Sequence, residues 1–271
     1  MKITTVCLLI LQGVLLAPST ASAAALPRHA NTTDLPKRTI AGISVVDTPI
    51  VQAAHGLARM YSEPYLYKHI MRCWLFGTLI LTHNETLAAS VDPEVHAVSV
   101  LLHDLGLSPS SPFLSADRRF EVDGAFAATS FVANFTTTAS GSGPKGHAAA
   151  WDAQRRQLVW DAIALHTERS IHEFKEPAVA VTGNGIGMDF RGADYGVTAA
   201  EYAAVLHEYP QEDLLGGFNA SLVWLAHTKP SSTYDTWQQP WGDNYVANYS
   251  AVGHRTFDII ALSKTQITES E

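Results

Sequence analysis

Apolar residues return at helical spacing along most of this chain. Ile50, Ala53, Ala54, Leu57 and Met60 fall three or four apart behind Asp47-Thr48-Pro49, a capping residue and a proline suited to a first helical turn. Glu63-Pro64 opens a second helix to about residue 83. Asp92-Pro93-Glu94 opens a third, with Gly106 as its expected left-handed cap. A fourth helix is predicted over 120–135, a Gly/Ser/Pro break over 140–146 and a fifth helix over 148–166. Thr198-Ala199-Ala200-Glu201 reads as a capping box for a helix that stops before Pro210, and 211–227 forms the last clear one. No long alternating segment predicts a sheet, and the chain has no internal repeat. The pattern predicts one all-α domain over 41–271, wrapped by an irregular Trp-, Tyr- and Pro-rich tail at 228–250.

The first residues are patterned differently. Lys2, a compact apolar run over 6–17 and Ala21-Ser22-Ala23 follow one another in the order of a secretory signal peptide, with cleavage expected after Ala23. The run is shorter than the roughly 20 residues of a membrane span, and no later segment qualifies, so no stable membrane anchor is expected. Residues 24–40 are polar and Pro-spaced, a linker or pro-segment in which Lys37-Arg38 is a dibasic pair. Secretion fits five Asn-x-Ser/Thr sequons, at Asn31, Asn84, Asn134, Asn219 and Asn248. Cys7 leaves with the signal, so the mature chain keeps Cys73 alone and must fold without an intramolecular disulfide.

Composition then narrows the chemistry. The 271 residues are 46% apolar and only 16% charged, which excludes wholesale disorder. A net charge of −8 argues against a nucleic-acid partner, which needs a basic face, and leaves a small-molecule substrate as the expected partner. The 12 histidines outnumber the lysines, and histidine is the commonest metal ligand and a frequent acid–base group.

The sharpest chemical signal is Leu101-Leu102-His103-Asp104-Leu105-Gly106, a His-Asp pair closing an apolar helix. A buried carboxylate is costly unless it is paired or bound to a metal. Neighbouring residues are offset by about 100° on a helix, so both reach one ion only near a helix end or bend. The alternative is that Asp104 caps a neighbouring helix. His69 lies upstream in Tyr67-Lys68-His69-Ile70-Met71-Arg72, with Arg72 on the same helical face, set either to orient a carboxylate or substrate or to form an outward ion pair. His166 follows downstream, either an acid–base group or a packed helix-terminal histidine. His172 has a weaker claim. Asp189 stands in the glycine-rich stretch 183–192, which reads as a loop, with Asp194 as a nearby rival. Glu121 and Asp123, behind Arg118-Arg119, either hold a metal ligand's far nitrogen or cap a helix. His55, His96, His207 and His227 read as structural.

The order His…His-Asp…His…Asp on apolar helices resembles the HD-domain metalloenzyme superfamily, and within it the fungal cyanamide hydratase branch. The segments that carry the likeness are 67–77, 101–106 and Phe120-Glu121-Val122-Asp123-Gly124-Ala125. The resemblance implies an HD-type helical bundle, with His69, His103, Asp104 and Asp189 as metal ligands. It implies Asp104 and His166 as the groups that manage protons, and Arg72 and Lys68 as substrate contacts. Two imidazoles and two carboxylates suit one divalent ion, zinc or iron foremost and manganese next, with a two-metal site as the variant. The implied reaction is addition of metal-activated water to a small C≡N or related substrate. Lys68 and Ile70 stand where that branch has Asn and Ser, which points to a nitrile-like or amide substrate other than cyanamide. The alternatives are an HD phosphohydrolase, served by Arg72, Lys68, Arg118 and Arg119, a di-iron oxygenase using His166 and His172, or a secreted binder without catalysis.

Overall fold

A short hairpin precedes the helices. In this computed structural model, which describes residues 35–139 and 151–268, strands β1 (Lys37–Ile40) and β2 (Ile43–Val46) pair antiparallel with Lys37 opposite Val46. Ala41 and Gly42 both take positive φ, 49° and 79°, the primed turn whose twist matches that of paired strands. The sequence reading expects linker here and no sheet. Four-residue strands are too short for alternation to register, and Ala-Gly is a weak hairpin signal. Lys37-Arg38 thus lies within a paired strand, where Arg38 approaches the Trp74 ring at 5.8 Å and pairs with Asp47 at 3.4 Å. The expected signal peptide at 1–23, most of the linker, Asn31 and the break at 140–146 lie outside the described residues.

The body is helical: α1 (Pro49–Tyr61), α2 (Pro64–Thr82), α3 (Glu85–Ala88), α4 (Pro93–Leu102), α5 (Phe120–Ala139), α6 (Ala153–Ala164), α7 (Arg169–His172), α8 (Pro177–Arg191), α9 (Ala199–Glu208), α10 (Leu214–Thr228), α11 (Gln239–Tyr245) and α12 (Thr256–Thr268). Prolines at the first turn start α1, α2, α4 and α8, where the missing N–H has no partner to lose. Asp92 caps α4 by accepting from Glu94 and Val95 backbone N–H, and Thr198 and Glu201 form the expected capping box on α9. The described elements fall in one compact unit, Thr32–Glu271. No helix among the described residues is long and apolar enough to cross a membrane.

Several boundaries move. α6 starts at Ala153 because Asp152 accepts from Arg155 N at 2.8 Å, and α10 starts at Leu214 after a turn. The tail read as irregular contains α11 and a single 3-10 turn at Pro230–Ser232. Gly106 has no left-handed φ; the positive-φ glycines among the described residues are Gly42, Gly192, Gly196 and Gly253. Its small size is what matters, since a Cβ there would run into the Phe120 carbonyl.

α2 lies at the centre, buried almost all round by residues from Leu66 to Ile80. Its most extensive partner is α8, the stretch whose glycines read as a loop. Those glycines make a helix crossing instead. A Cβ on Gly185 would stand 2.8 Å from Gly77 N and 3.0 Å from Cys73 O, so the two backbones touch. Gly77 in turn leaves room for the buried ring of His96, whose Nδ1 lies 3.2 Å from Thr182 Oγ1. Burial holds His96 down to about 4, so it is neutral in the folded protein.

Two outcomes follow from this packing. Gly185→Ala puts a methyl against backbone and should destabilise by about 1–3 kcal/mol. Gly216→Ala on α10, with nothing within 4 Å, should be neutral or gain up to about 1 kcal/mol. Denaturant midpoints compare the two. Below the unfolded histidine value of about 6.5, the unfolded chain takes a proton at His96 that the native state refuses. Its contribution is therefore present above that pH and falls by about 3 kcal/mol as pH drops to 4. The stability–pH slope of wild type minus that of His96→Leu isolates it.

Candidate metal centre

Three histidines and one aspartate reach a common point from three parts of the chain. His69 comes from the middle of α2. α4 stops at Leu102, and His103 and Asp104 sit in the turn just past it. That turn seats closely on α5: a Cβ on Gly124 would meet His103 O at 2.8 Å, and Gly106 N lies beside it. His166 follows the end of α6. All four side chains are buried.

Their protonation is set by what lies behind them. His69 Nδ1 is 2.6 Å from Asp189 Oδ2, His103 Nδ1 is 2.7 Å from Val100 O, and His166 Nδ1 is 2.6 Å from Ile163 O. Carbonyl and carboxylate oxygens only accept, so each Nδ1 is the donor and each neutral ring is left with a lone pair on Nε2. These lone pairs turn inward. His69 Nε2 and His103 Nε2 are 3.3 Å apart, and Asp104 Oδ2 lies 3.1 Å from the second and 3.7 Å from the first. His166 Nε2 is 3.8 Å from Asp104 Oδ1. Asp104 Oδ2 is buried with no hydrogen bond. With neutral rings, the His69 and His103 lone pairs meet the Asp104 carboxylate with no proton among them and His166 stands by its other oxygen, an arrangement that repels itself unless a cation joins it. Bonds of 2.0–2.2 Å in a tetrahedral site give ligand–ligand edges of about 3.3–3.5 Å, which the three shorter separations straddle.

Electrostatics show a cluster that draws positive charge to itself, as protons or as a cation. Burial alone would raise Asp104, but the charges of His103, His69 and His166 outweigh it and hold the carboxyl down at about 2. Burial pulls His103 down, yet Asp104 and the Val100 carbonyl more than offset it and leave it raised. Burial, with His103 beside it, lowers His166 to about 4. These groups, with Cys73, could hold a metal ion: His103, Asp104 and His166 form one cluster, and His69, Cys73 and His103 a second. Cys73 Sγ lies 3.5 Å from the His69 ring nitrogens, and burial pushes its thiol well up, so it packs as a protonated side chain.

Asp189 is placed otherwise than the ligand role expected of it. It lies in helix α8, behind His69, and its two oxygens accept from His69 Nδ1, from Arg72 Nε at 2.6 Å and Nη2 at 2.7 Å, and from Gln211 Nε2 at 2.7 Å. Burial would raise it, but His69 and Arg72 hold it down at about 2. Arg72 is wholly buried, and its Nη1 donates to Tyr209 O and Pro210 O. Lys68, one residue from His69 and so about 100° round the helix, turns away to pair with Glu212 at 3.3 Å beside a separate groove with Arg59 and Tyr67.

Glu121 and Asp123 neither back a metal ligand nor cap a helix. Glu121 accepts from Arg119, Thr167, Trp237 Nε1 (2.8 Å) and Gln238. Asp123 accepts from Ser115, Arg118 and Lys229 Nζ (2.9 Å). These two buried carboxylates tie the segment after α10 onto α5. That segment brings Trp237 and Trp241 to a cavity of about 340 Å³ that opens onto His69, Asp104 and His166. Phe120, Ile186, Phe190, Phe218 and Leu222 are apolar parts of the remaining wall, which also carries Thr167, Arg169, His172, Arg191 and Asn219. Sequence gave no signal for Trp237, because its role depends on a hydrogen bond 116 residues away.

No family model matches the chain, and no curated protein matches it.

Arg72 is the only cation bonded to Asp189 among the described residues. Arg72→Leu should leave that carboxylate buried and uncompensated, at a loss of about 3–5 kcal/mol in chemical denaturation.

Proposed function

We propose that this protein is a secreted metal-dependent enzyme of HD type that adds water to a C≡N or related group on a small molecule. The observation that carries this reading is the meeting of the His69 and His103 Nε2 atoms at the buried, unbonded Oδ2 of Asp104, with His166 Nε2 by the other oxygen. One divalent ion, zinc or iron, fits a set of neutral imidazoles and one carboxylate. When bound, such an ion supplies Lewis acidity and lowers the pKa of a water towards 7.

The chain's own groups divide the remaining work. His69, His103 and Asp104 hold the ion. Asp189, Val100 O and Ile163 O fix which nitrogen each ring presents, in the way that a bonded far nitrogen orients a metal-bound imidazole. His166, neutral and set slightly apart, accepts a proton at Nε2, where the Asp104 carboxylate at 3.8 Å stabilises the resulting charge. The apolar wall keeps bulk water from competing.

The phosphohydrolase alternative loses the four cations expected of it. Arg72 is bound behind Asp189, Lys68 serves another groove, Arg118 is held by Asp123, and Arg119 by Glu121 and Glu168. Of the cavity's own arginines, Arg169 is paired with Glu173, and Arg191, over Gly187 and with no ion pair among the described residues, is the cation that remains. A phosphoryl group needs positive charge aimed at it.

Purified protein should contain close to one zinc or iron per chain by elemental analysis and should hydrate nitriles in preference to cleaving phosphoesters. His103→Ala and Asp104→Ala should each lose the metal and all turnover; full occupancy in either sinks the assignment. Asp189→Asn separates a ligand from an orienting group, with metal still bound but about 10–100-fold more weakly.

A further inference from the structure

Cyanamide has three heavy atoms, and the cavity is far larger than that. An apolar cavity of about 150 Å³ accommodates benzene, and this one measures about 340 Å³. Its walls are rings held in place. Trp237 Nε1 donates to Glu121 and Trp241 Nε1 donates to Asn219 Oδ1 at 2.9 Å, so neither indole is free to collapse inward. Phe190 and Phe218 meet edge to face at 82°, as do Trp237 and Trp241. Each pair offers one face and one edge, the complement of a flat aromatic body. Apolar side chains also reach the surface here: Phe190 and Leu215 line the cavity and remain 50% and 70% exposed, beside Arg169.

One polar side chain in this wall has no use so far. His172 is 1% exposed and makes no hydrogen bond among the described residues. Its Nδ1 is buried without a partner beside α8, where a Cβ on Gly183 would fall 2.5 Å from it. Gly183 is therefore what admits the ring to the wall, and both residues line the cavity. Buried polar groups are ordinarily bonded, so an unbonded one in a ligand cavity marks a place where the ligand completes the bond.

We propose that the cavity binds a small molecule with a flat aromatic body of about two rings, and that His172 hydrogen-bonds its polar substituent. This deepens the reading of the site as a water-adding centre and rests on it for the choice of a nitrile as the reacting group. Binding of the aromatic body does not depend on it.

Titration calorimetry of the full metal-loaded protein with 6-hydroxy-2-naphthonitrile, 2-naphthonitrile and cyanamide tests the proposal. The hydroxylated naphthonitrile should bind about tenfold or more tightly than 2-naphthonitrile, the worth of one hydrogen bond into a dry site. His172→Phe keeps the ring volume and should erase that gap while leaving 2-naphthonitrile binding in place. Trp237→Ala should weaken both. An unchanged gap in His172→Phe overturns the role of His172, and cyanamide binding more tightly than either naphthonitrile overturns the aromatic class. Naphthonitriles that bind without being hydrated leave this inference standing and defeat the water-adding reading. Hydration of cyanamide with no naphthonitrile binding does the reverse.

Discussion

The carboxylate of Asp189 is the interaction on which the centre depends. It is fully buried, and four hydrogen bonds from His69, Arg72 and Gln211 satisfy it. Through them it joins α2, α8 and the turn before α10. It also decides which nitrogen of His69 faces inward, and so whether the cluster has a lone pair or a proton at that corner. An ionised group in this position would be intolerable alone. With Arg72 beside it, it becomes the fixed point from which the rest of the site is aligned.

The fold was legible wherever a local rule is strong. Prolines and capping residues announced the starts of α1, α2, α4 and α9 to within a residue or two, since those signals act on the nearest turn of backbone. The glycine-rich stretch 183–192 misled for a physical reason. Glycine weakens an isolated helix, but against a tightly packed neighbour its missing side chain is the requirement, and α8 exists because Gly185 lets it touch α2. Gly106 was singled out correctly as special and for the wrong cause, a close carbonyl and not a left-handed turn.

The candidate site divides in the same way. His69, His103, Asp104 and His166 were readable because histidine and aspartate on apolar helices are conspicuous, and the structure brings them together. Asp189, Arg72 and Lys68 were given the wrong partners. Spacing along one helix correctly put His69 and Arg72 on one face, but it cannot say that a single carboxylate from α8 would occupy both. Glu121, Asp123, Trp237 and His172 depend on contacts across the bundle, which no local pattern encodes.

The glycines of α8 alternate in what they admit. Gly185 sets the distance to α2, while Gly183 and Gly187, two residues to either side, make room for His172 and for the Arg191 side chain at the cavity. One short helix thus carries both the spacing that holds the bundle and the clearance that shapes the chamber. Evolutionary change in ligand range through this helix is constrained from both directions: a methyl group that trims the chamber arrives within half a turn of one that would pry the core apart. Diversification has an easier route through the far wall. There Trp237 and Trp241 hang from a C-terminal strap tethered by side-chain hydrogen bonds, and their replacement leaves the central crossing untouched.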